Sequence, residues 1–263
     1  MIVFSLMNQK GGVVKTVSSF NIASLLADFG YKTLLIDLDP QASLTVSIGY
    51  EPTELKKTVT NVLTNFNGQN KIKIEETFLQ VKDNLILVPS SIDLSVADIL
   101  MNSQYSREFL LKKAIEPVSK YFDFCIIDCP PSLGILSLNA LSASDYVLIP
   151  VATSYLAYRG LELLLDTIEN VHEALNPDLE IYGVLATLYK NNNHSKEVLT
   201  LLKDNYHLIG KINNSVSAEY ATIQGKSVSE FNKKSPVAKE YTRITKEIID
   251  EFKSGKIKTK LYE

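Results

Sequence analysis

Ile2-Val3-Phe4-Ser5-Leu6-Met7-Asn8-Gln9-Lys10-Gly11-Gly12-Val13-Val14-Lys15-Thr16 opens the chain, and its reading decides the fold. The apolar run Ile2–Met7 has the composition of a strand. It enters a glycine pair, then Lys-Thr, then Lys15–Phe29. That last segment carries Phe20, Ile22, Ala23, Leu25, Leu26 and Phe29 at the spacing of a helix packed on a sheet, and Gly30 ends it. Strand, glycine turn, Lys-Thr, helix is the context a phosphate-binding loop requires. Gly11 and Gly12 let backbone N–H groups turn inward, and those groups together with the helix N-terminus attract anionic phosphates. On this reading Lys15 reaches the β- and γ-phosphates of a nucleotide and the Thr16 hydroxyl ligates Mg²⁺, an ion that keeps several of its waters. The expected nucleotide contacts within the loop itself are Gly11, Gly12, Val13, Val14, Lys15 and Thr16. The general pattern G-x-x-x-x-G-K-[ST] is not met, because Gln9 and Val14 stand where its two glycines belong.

Working outward, apolar strand-like runs alternate with helix-period segments. Strands are expected at Thr33–Leu38, Leu85–Pro89, Asp123–Asp128, Tyr146–Val151 and Ile181–Leu188. Helices are expected at roughly 92–101, 105–120, 134–143, 155–174, 195–206 and 235–252. Continuous apolar strands separated by helices indicate a single α/β domain: a mostly parallel β-sheet with helices on both faces. In such sheets ligands bind beyond the carboxyl ends of the strands. The polar, weakly patterned stretch Thr53–Asn70 reads as a surface excursion. Two strand ends carry acids. Alternation puts Asp37 and Asp39 on one side of the second strand, which Pro40 terminates. Asp128 is the one carboxylate closing an otherwise apolar run. Buried strands avoid a lone carboxylate, so a metal partner is the economical explanation.

The 263 residues, 45% hydrophobic, suffice for one sizeable core. No apolar run approaches the roughly 20 residues that span a bilayer, and the start lacks the basic region of a secretory signal. Cys125 and Cys129 do not have zinc-site spacing and read as buried thiols. The net charge of −3 hides an asymmetry. Residues 1–189 carry 13 basic against 21 acidic residues, and residues 190–263 carry 14 against 9. A basic last third on an acidic body suggests a face for a polyanion. With only three arginines in the chain, such a face must rely on lysines.

Lys10 through Thr16 resembles the deviant Walker A loop, K-G-G-x-G-K-[ST], of the ParA/MinD group of P-loop ATPases. Asp37-Leu38-Asp39-Pro40-Gln41 resembles the D-x-D-P-Q segment of the ParA family, and Asp128-Cys129-Pro130-Pro131 its D-x-P-P. Val88-Pro89-Ser90 and Pro150–Gly160 are similar to two further family stretches. The likeness covers roughly residues 1–250 and is loose after residue 190. It implies a P-loop NTPase domain over 1–252 with a short basic tail, 253–263. It also implies ATP and Mg²⁺ as cofactors, with Lys10, Lys15 and Asp39 as the catalytic set and Lys10 and Val17 as further nucleotide contacts. Lys10 would touch the ATP of a second copy across an ATP-dependent homodimer. Asp39 would orient the attacking water, with a possible water-mediated contact to the metal, and Asp128 would hold Mg²⁺ through water. The implied protein is a cytoplasmic, nucleoid-associated partition ATPase of a plasmid or chromosome. It binds DNA non-specifically, hydrolyses ATP slowly and answers to a ParB-like centromere-binding partner, with no membrane contact.

The sequence departs from the family at Val14, where glycine is expected, and at Val17, which lacks a hydroxyl that relatives place near the α-phosphate. If Val14 sits in a disfavoured backbone region the cost is about 1–3 kcal/mol, and nucleotide binding is retained but weakened. Asn214 and Ser217 stand where relatives carry the arginines linked with DNA binding. That role then passes to lysines: Lys196, Lys203, Lys211, Lys226, Lys233 and Lys234. Two alternatives compete. One is a MinD-like membrane-positioning ATPase, which the Gly255-interrupted tail disfavours. The other is a nucleotide-blind scaffold, which the intact Lys10, Lys15, Thr16, Asp39 and Asp128 disfavour.

Overall fold

The computed structural model describes residues 1–64, 71–101 and 104–255. The end of the expected excursion, 65–70, and most of the expected tail, 256–263, lie outside the described residues. In chain order the elements are β1 (Ile2–Leu6), α1 (Lys15–Asp28), β2 (Thr33–Asp37), α2 (Ser43–Ile48), α3 (Val59–Thr64), β3 (Leu79–Lys82) and β4 (Leu85–Val88). Next come α4 (Ala97–Met101), α5 (Leu110–Ile115), β5 (Phe124–Asp128), α6 (Ile135–Ala143), β6 (Tyr146–Ala152), α7 (Tyr155–Arg159) and α8 (Leu161–Ala174). The last third holds β7 (Glu180–Tyr189), α9 (Asn193–Asn205), β8 (Leu208–Asn213), α10 (Val216–Ile223), α11 (Val228–Asn232) and α12 (Pro236–Ser254).

The eight strands form one sheet in the order β3-β4-β2-β5-β1-β6-β7-β8, parallel except for the β3–β4 hairpin. Strand alternation splits the core in two. Val3, Leu34, Ile36, Cys125, Ile127, Ile149 and Val184 face the layer of α3 to α6, α8 and α9. Phe4, Leu6, Leu35, Ile126, Leu148 and Leu185 face α1, α2 and α10 to α12. This is the α/β class expected from the runs of apolar strands. The two edge strands, β3 and β8, escaped that reading. β3 is short and only half-buried, and β8 is interrupted in composition by Gly210 and Lys211. A Cβ at Gly210 would lie 2.8 Å from the side-chain ends of Glu240 and Ile244 of α12, which would have to shift to make room. The expected excursion at Thr53–Asn70 is corrected in part: Val59, Val62 and Leu63 of α3 are buried in the core. The expected single helices at 105–120 and 155–174 are each broken, the first into 3-10 turns flanking α5 and the second at Gly160.

Candidate functional site

β1 is central, with β5 on one side and β6 on the other, so the chain leaves it at the point where strand order reverses. The crevice beyond the carboxyl ends of these strands is where an open α/β sheet takes its ligand. The loop from Met7 to Val14 occupies it. Asn8 pins this loop. Its amide donates to the Pro150 carbonyl at 2.7 Å, and its Oδ1 accepts the Lys10 N–H at 2.9 Å. Sequence reasoning gave Asn8 no role. On the opposite flank the Thr187 hydroxyl donates to the Val13 carbonyl at 3.0 Å. Lys15 is buried and its ammonium is parked on the Asn8 and Lys10 carbonyls, at 3.0 and 3.4 Å. Burial pushes the Lys15 pKa below its ordinary value, against the opposing charges of Asp128 and Asp39. Lys10, Gly11 and Gly12 are exposed on the rim.

Val14 is the N-cap of α1 with φ 67° and ψ 26°, the left-handed region, and Gly12 has φ 72°. Left-handed backbone brings Cβ against the following carbonyl, and a β-branched side chain there is an outlier. The condition raised for Val14, a disfavoured backbone region, holds in the structure.

The two acidic strand ends divide their labour. Asp37 is fully buried. Its Oδ2 accepts both the N–H and the hydroxyl of Thr45, at 2.8 and 2.7 Å, and thereby caps the first turn of α2. Burial and the neighbouring charge of Asp128 push its pKa to about 7, against those hydrogen bonds. Asp39 is only half-buried and lies past the end of β2, its carboxylate accepting the Gln41 N–H at 2.9 Å. Asp128, in register with Asp37 and Leu6, ends β5 beneath the loop. Its Oδ1 accepts the Ser19 hydroxyl at 2.8 Å, while Oδ2 is buried without a hydrogen bond. Burial raises its pKa to about 6, and the Thr16 and Ser19 hydroxyls and Lys15 work the other way. A buried carboxylate oxygen without a hydrogen bond, beside a lysine and a threonine hydroxyl, fits a hydrated divalent cation, because the donors are hard oxygens. Ser19 is a further residue of this site that the sequence did not single out.

A cavity of ≈ 340 Å³ adjoins the loop, walled by Val14 and Val17, by Leu188 and Ile212 at the strand ends, and by residues of α10 and α12, among them Ile223 and Tyr241. Its size and apolar walls suit the base and sugar of a nucleotide. The six lysines expected to meet a polyanion are carried by separate elements. Lys196 and Lys203 lie on α9, whose Val198 and Leu202 pack on one face of the sheet. Lys226, Lys233 and Lys234 flank α11, whose Val228 packs on the other. Lys211 lies on β8 between the two layers. The structure thus divides them between two helical layers. Cys125 and Cys129 are buried free thiols. Among the described residues no helix is long and apolar enough to cross a membrane.

The AAA_31 family model, an AAA domain, matches residues 1–181. The sporulation initiation inhibitor protein Soj of Bacillus subtilis is 37% identical over 251 residues, covering 94% of this chain and 97% of its own. Two solved structures share the fold over nearly the full length. One is a cobyrinic acid a,c-diamide synthase of Mycobacterium smegmatis with bound ADP and magnesium, with a TM-score of 0.85, 34% identity and 98% of each chain covered. The other is a putative plasmid partition protein of Borrelia burgdorferi bound to AMPPNP, with a TM-score of 0.80, 26% identity, and 95% and 99% of the two chains covered. With the deviant loop and both acidic strand ends in place on this sheet, the chain belongs to the ParA family of P-loop ATPases.

Proposed function

We propose that this protein is a partition ATPase of a plasmid or chromosome that binds ATP with Mg²⁺ in the loop Lys10–Val17 and closes face to face with a second copy. The observation that carries the reading is the buried, unmatched Oδ2 of Asp128 beside Lys15 and Thr16. Lys15 leaves the two carbonyls it now contacts for the β- and γ-phosphates. The inward N–H groups of Gly11 to Lys15 hold the phosphate chain, and the cavity beside Val14 and Val17 holds the nucleoside. Thr16 and, through water, Asp128 hold the metal, which neutralises charge on the transferring phosphoryl group. Asp39, half-exposed and free of the helix cap that engages Asp37, orients the attacking water. Val14 weakens binding through its bulk in the pocket. Its left-handed backbone adds strain to the same loop.

Lys10 projects from the rim, where it can reach a second nucleotide. Exposed apolar residues lie on α4 and α7, the helices that follow β4 and β6, including Ile99 at 73% and Leu156 at 76% exposure. They supply the burial that closure of two chains needs. Non-specific DNA contact falls to the lysines of the last third, and a ParB-like protein triggers hydrolysis on the nucleoid. Both thiols of this chain, Cys125 and Cys129, are buried, and burial pushes both far up in pKa. Light scattering tests the reading. With AMPPNP and Mg²⁺ the mass doubles from 29.3 kDa, with ADP it does not, and Lys10→Ala stays monomeric in both. A mass indifferent to the nucleotide overturns the dimer, and hence the role of Lys10.

A further inference from the structure

β7 and β8 pair out of step at two places, between Val184 and Leu185 and again between Ala186 and Tyr189. Ala186 is opposite Lys211 and Tyr189 opposite Asn213, so β7 spends one more residue than β8 over this interval. That is a bulge, and Leu188 lies within it at φ 53°, again left-handed and again not glycine. Strained non-glycine residues at such places persist only where their surroundings over-determine them, and they cluster at ligand clamps and switches. The neighbouring side chains of Leu188 and Tyr189 line different cavities. Leu188 joins Val14 and Val17 in lining the ≈ 340 Å³ nucleoside cavity. Tyr189 lines a separate open cleft of ≈ 720 Å³ with Lys190, Asn191 and Lys211. There the Lys211 ammonium lies 4.0 Å from the centre of the Tyr189 ring. Asn213 and Asn214 line both cavities.

The hydrogen bonds around the bulge are continuous with the phosphate loop. Thr187 donates to the Val13 carbonyl at 3.0 Å, and its own carbonyl accepts the Thr153 N–H at 2.9 Å. The Tyr189 carbonyl accepts the Asn214 N–H at 3.0 Å. A ligand shifts a conformational equilibrium only through interactions that differ between the two states. Leu188 offers such an interaction to a ligand beside Val14, because the two side chains share the wall of one cavity.

We propose that Leu188 is a positioning residue: nucleotide in the loop fixes the bulge and thereby resets the Tyr189–Lys211 pair in the outer cleft. This rests on the nucleotide reading above. It places one of the lysines expected to meet phosphate backbone, Lys211, under the control of the nucleotide site. The chain has no tryptophan, so Tyr189→Trp installs a single indole reporter in the outer cleft, away from the nucleoside cavity. On adding ADP with Mg²⁺, the emission of this variant changes with the midpoint that calorimetry gives for binding. Two variants are placed in the same background. Leu188→Gly removes strain and wall together. Leu188→Asn keeps a residue that tolerates left-handed backbone but removes the apolar wall. In whichever of the two still shows binding heat, the emission change is abolished. An indole that ignores ADP while calorimetry records binding to Leu188 protein overturns the proposal, as does an undiminished change in the variants. If no heat is recorded for any of these proteins, the nucleotide reading has failed and the relay falls with it.

Discussion

Replacing Val14 by glycine should separate strain from packing in the phosphate loop. Val14 is half-buried with φ 67°, and Val17, one turn on, is half-buried in the helical backbone of α1 and lines the same cavity. Either valine-to-glycine change gives up about 1 kcal/mol of apolar burial. Each also adds chain entropy to the unfolded state at a cost of roughly 0.5–1 kcal/mol. Only Val14→Gly releases a left-handed, β-branched residue, which returns about 1–3 kcal/mol. Val14→Gly is therefore expected to be more stable than Val17→Gly by that same about 1–3 kcal/mol. At an m-value near ~2.5 kcal/mol/M the urea midpoints differ by roughly 0.4–1.2 M. Unfolding followed by far-ultraviolet circular dichroism in nucleotide-free, metal-free buffer measures this. Equal midpoints, or a lower one for Val14→Gly, would refute the assignment of strain. Val14→Gly should also tighten ADP binding, and equal affinities of this variant and the parent protein would count against the steric reading.

Thr45→Val removes the hydroxyl that donates to Asp37 and accepts the Ser90 N–H at 3.0 Å, and should cost about 1–3 kcal/mol in thermal or urea unfolding. Asp37 holds its proton in the folded state up to about pH 7, whereas the unfolded carboxyl releases it near ~4. Between those values the folded chain binds more protons, so metal-free stability falls as pH rises through the window. Asp37→Asn should flatten that slope, and a midpoint that rises from pH 5 to 7.5 in the parent protein contradicts the argument. Alanine at Lys196, Lys203, Lys211, Lys226, Lys233 and Lys234 should lower the salt slope of DNA binding by about 0.9 for each phosphate left without its lysine. An unchanged slope removes these lysines from the interface.

The phosphate loop was legible because its parts are contiguous: strand, glycines, Lys15 and Thr16 occupy one short stretch, and local sequence fixes their geometry. The sheet was legible from its apolar strands, except where tertiary packing overrides composition, as at Gly210 under α12. Asp37 and Asp39 look equivalent by alternation. Their separation depends on Thr45, which reaches back from the first turn of α2, and on β2 ending at Asp37. Asn8 and Ser19 carry no local signal. Their partners, Pro150 and Asp128, are distant in sequence and adjacent only through the β5-β1-β6 order. The cavity beside Val14 and Val17 is the extreme case, assembled from α1, the ends of β7 and β8, α10 and α12. The bulge at Leu188 is invisible in sequence because leucine is an ordinary strand residue that here takes a conformation it seldom adopts.

Calorimetric titration of ATP with Mg²⁺ into the parent chain, Lys15→Ala and Asp128→Asn tests the central claim most directly. The account predicts saturation at one nucleotide per chain for the parent, no binding heat for Lys15→Ala, and binding by Asp128→Asn that no longer depends on Mg²⁺. A parent chain that gives no heat with millimolar ligand, or a Lys15→Ala variant that binds as the parent does, would contradict it.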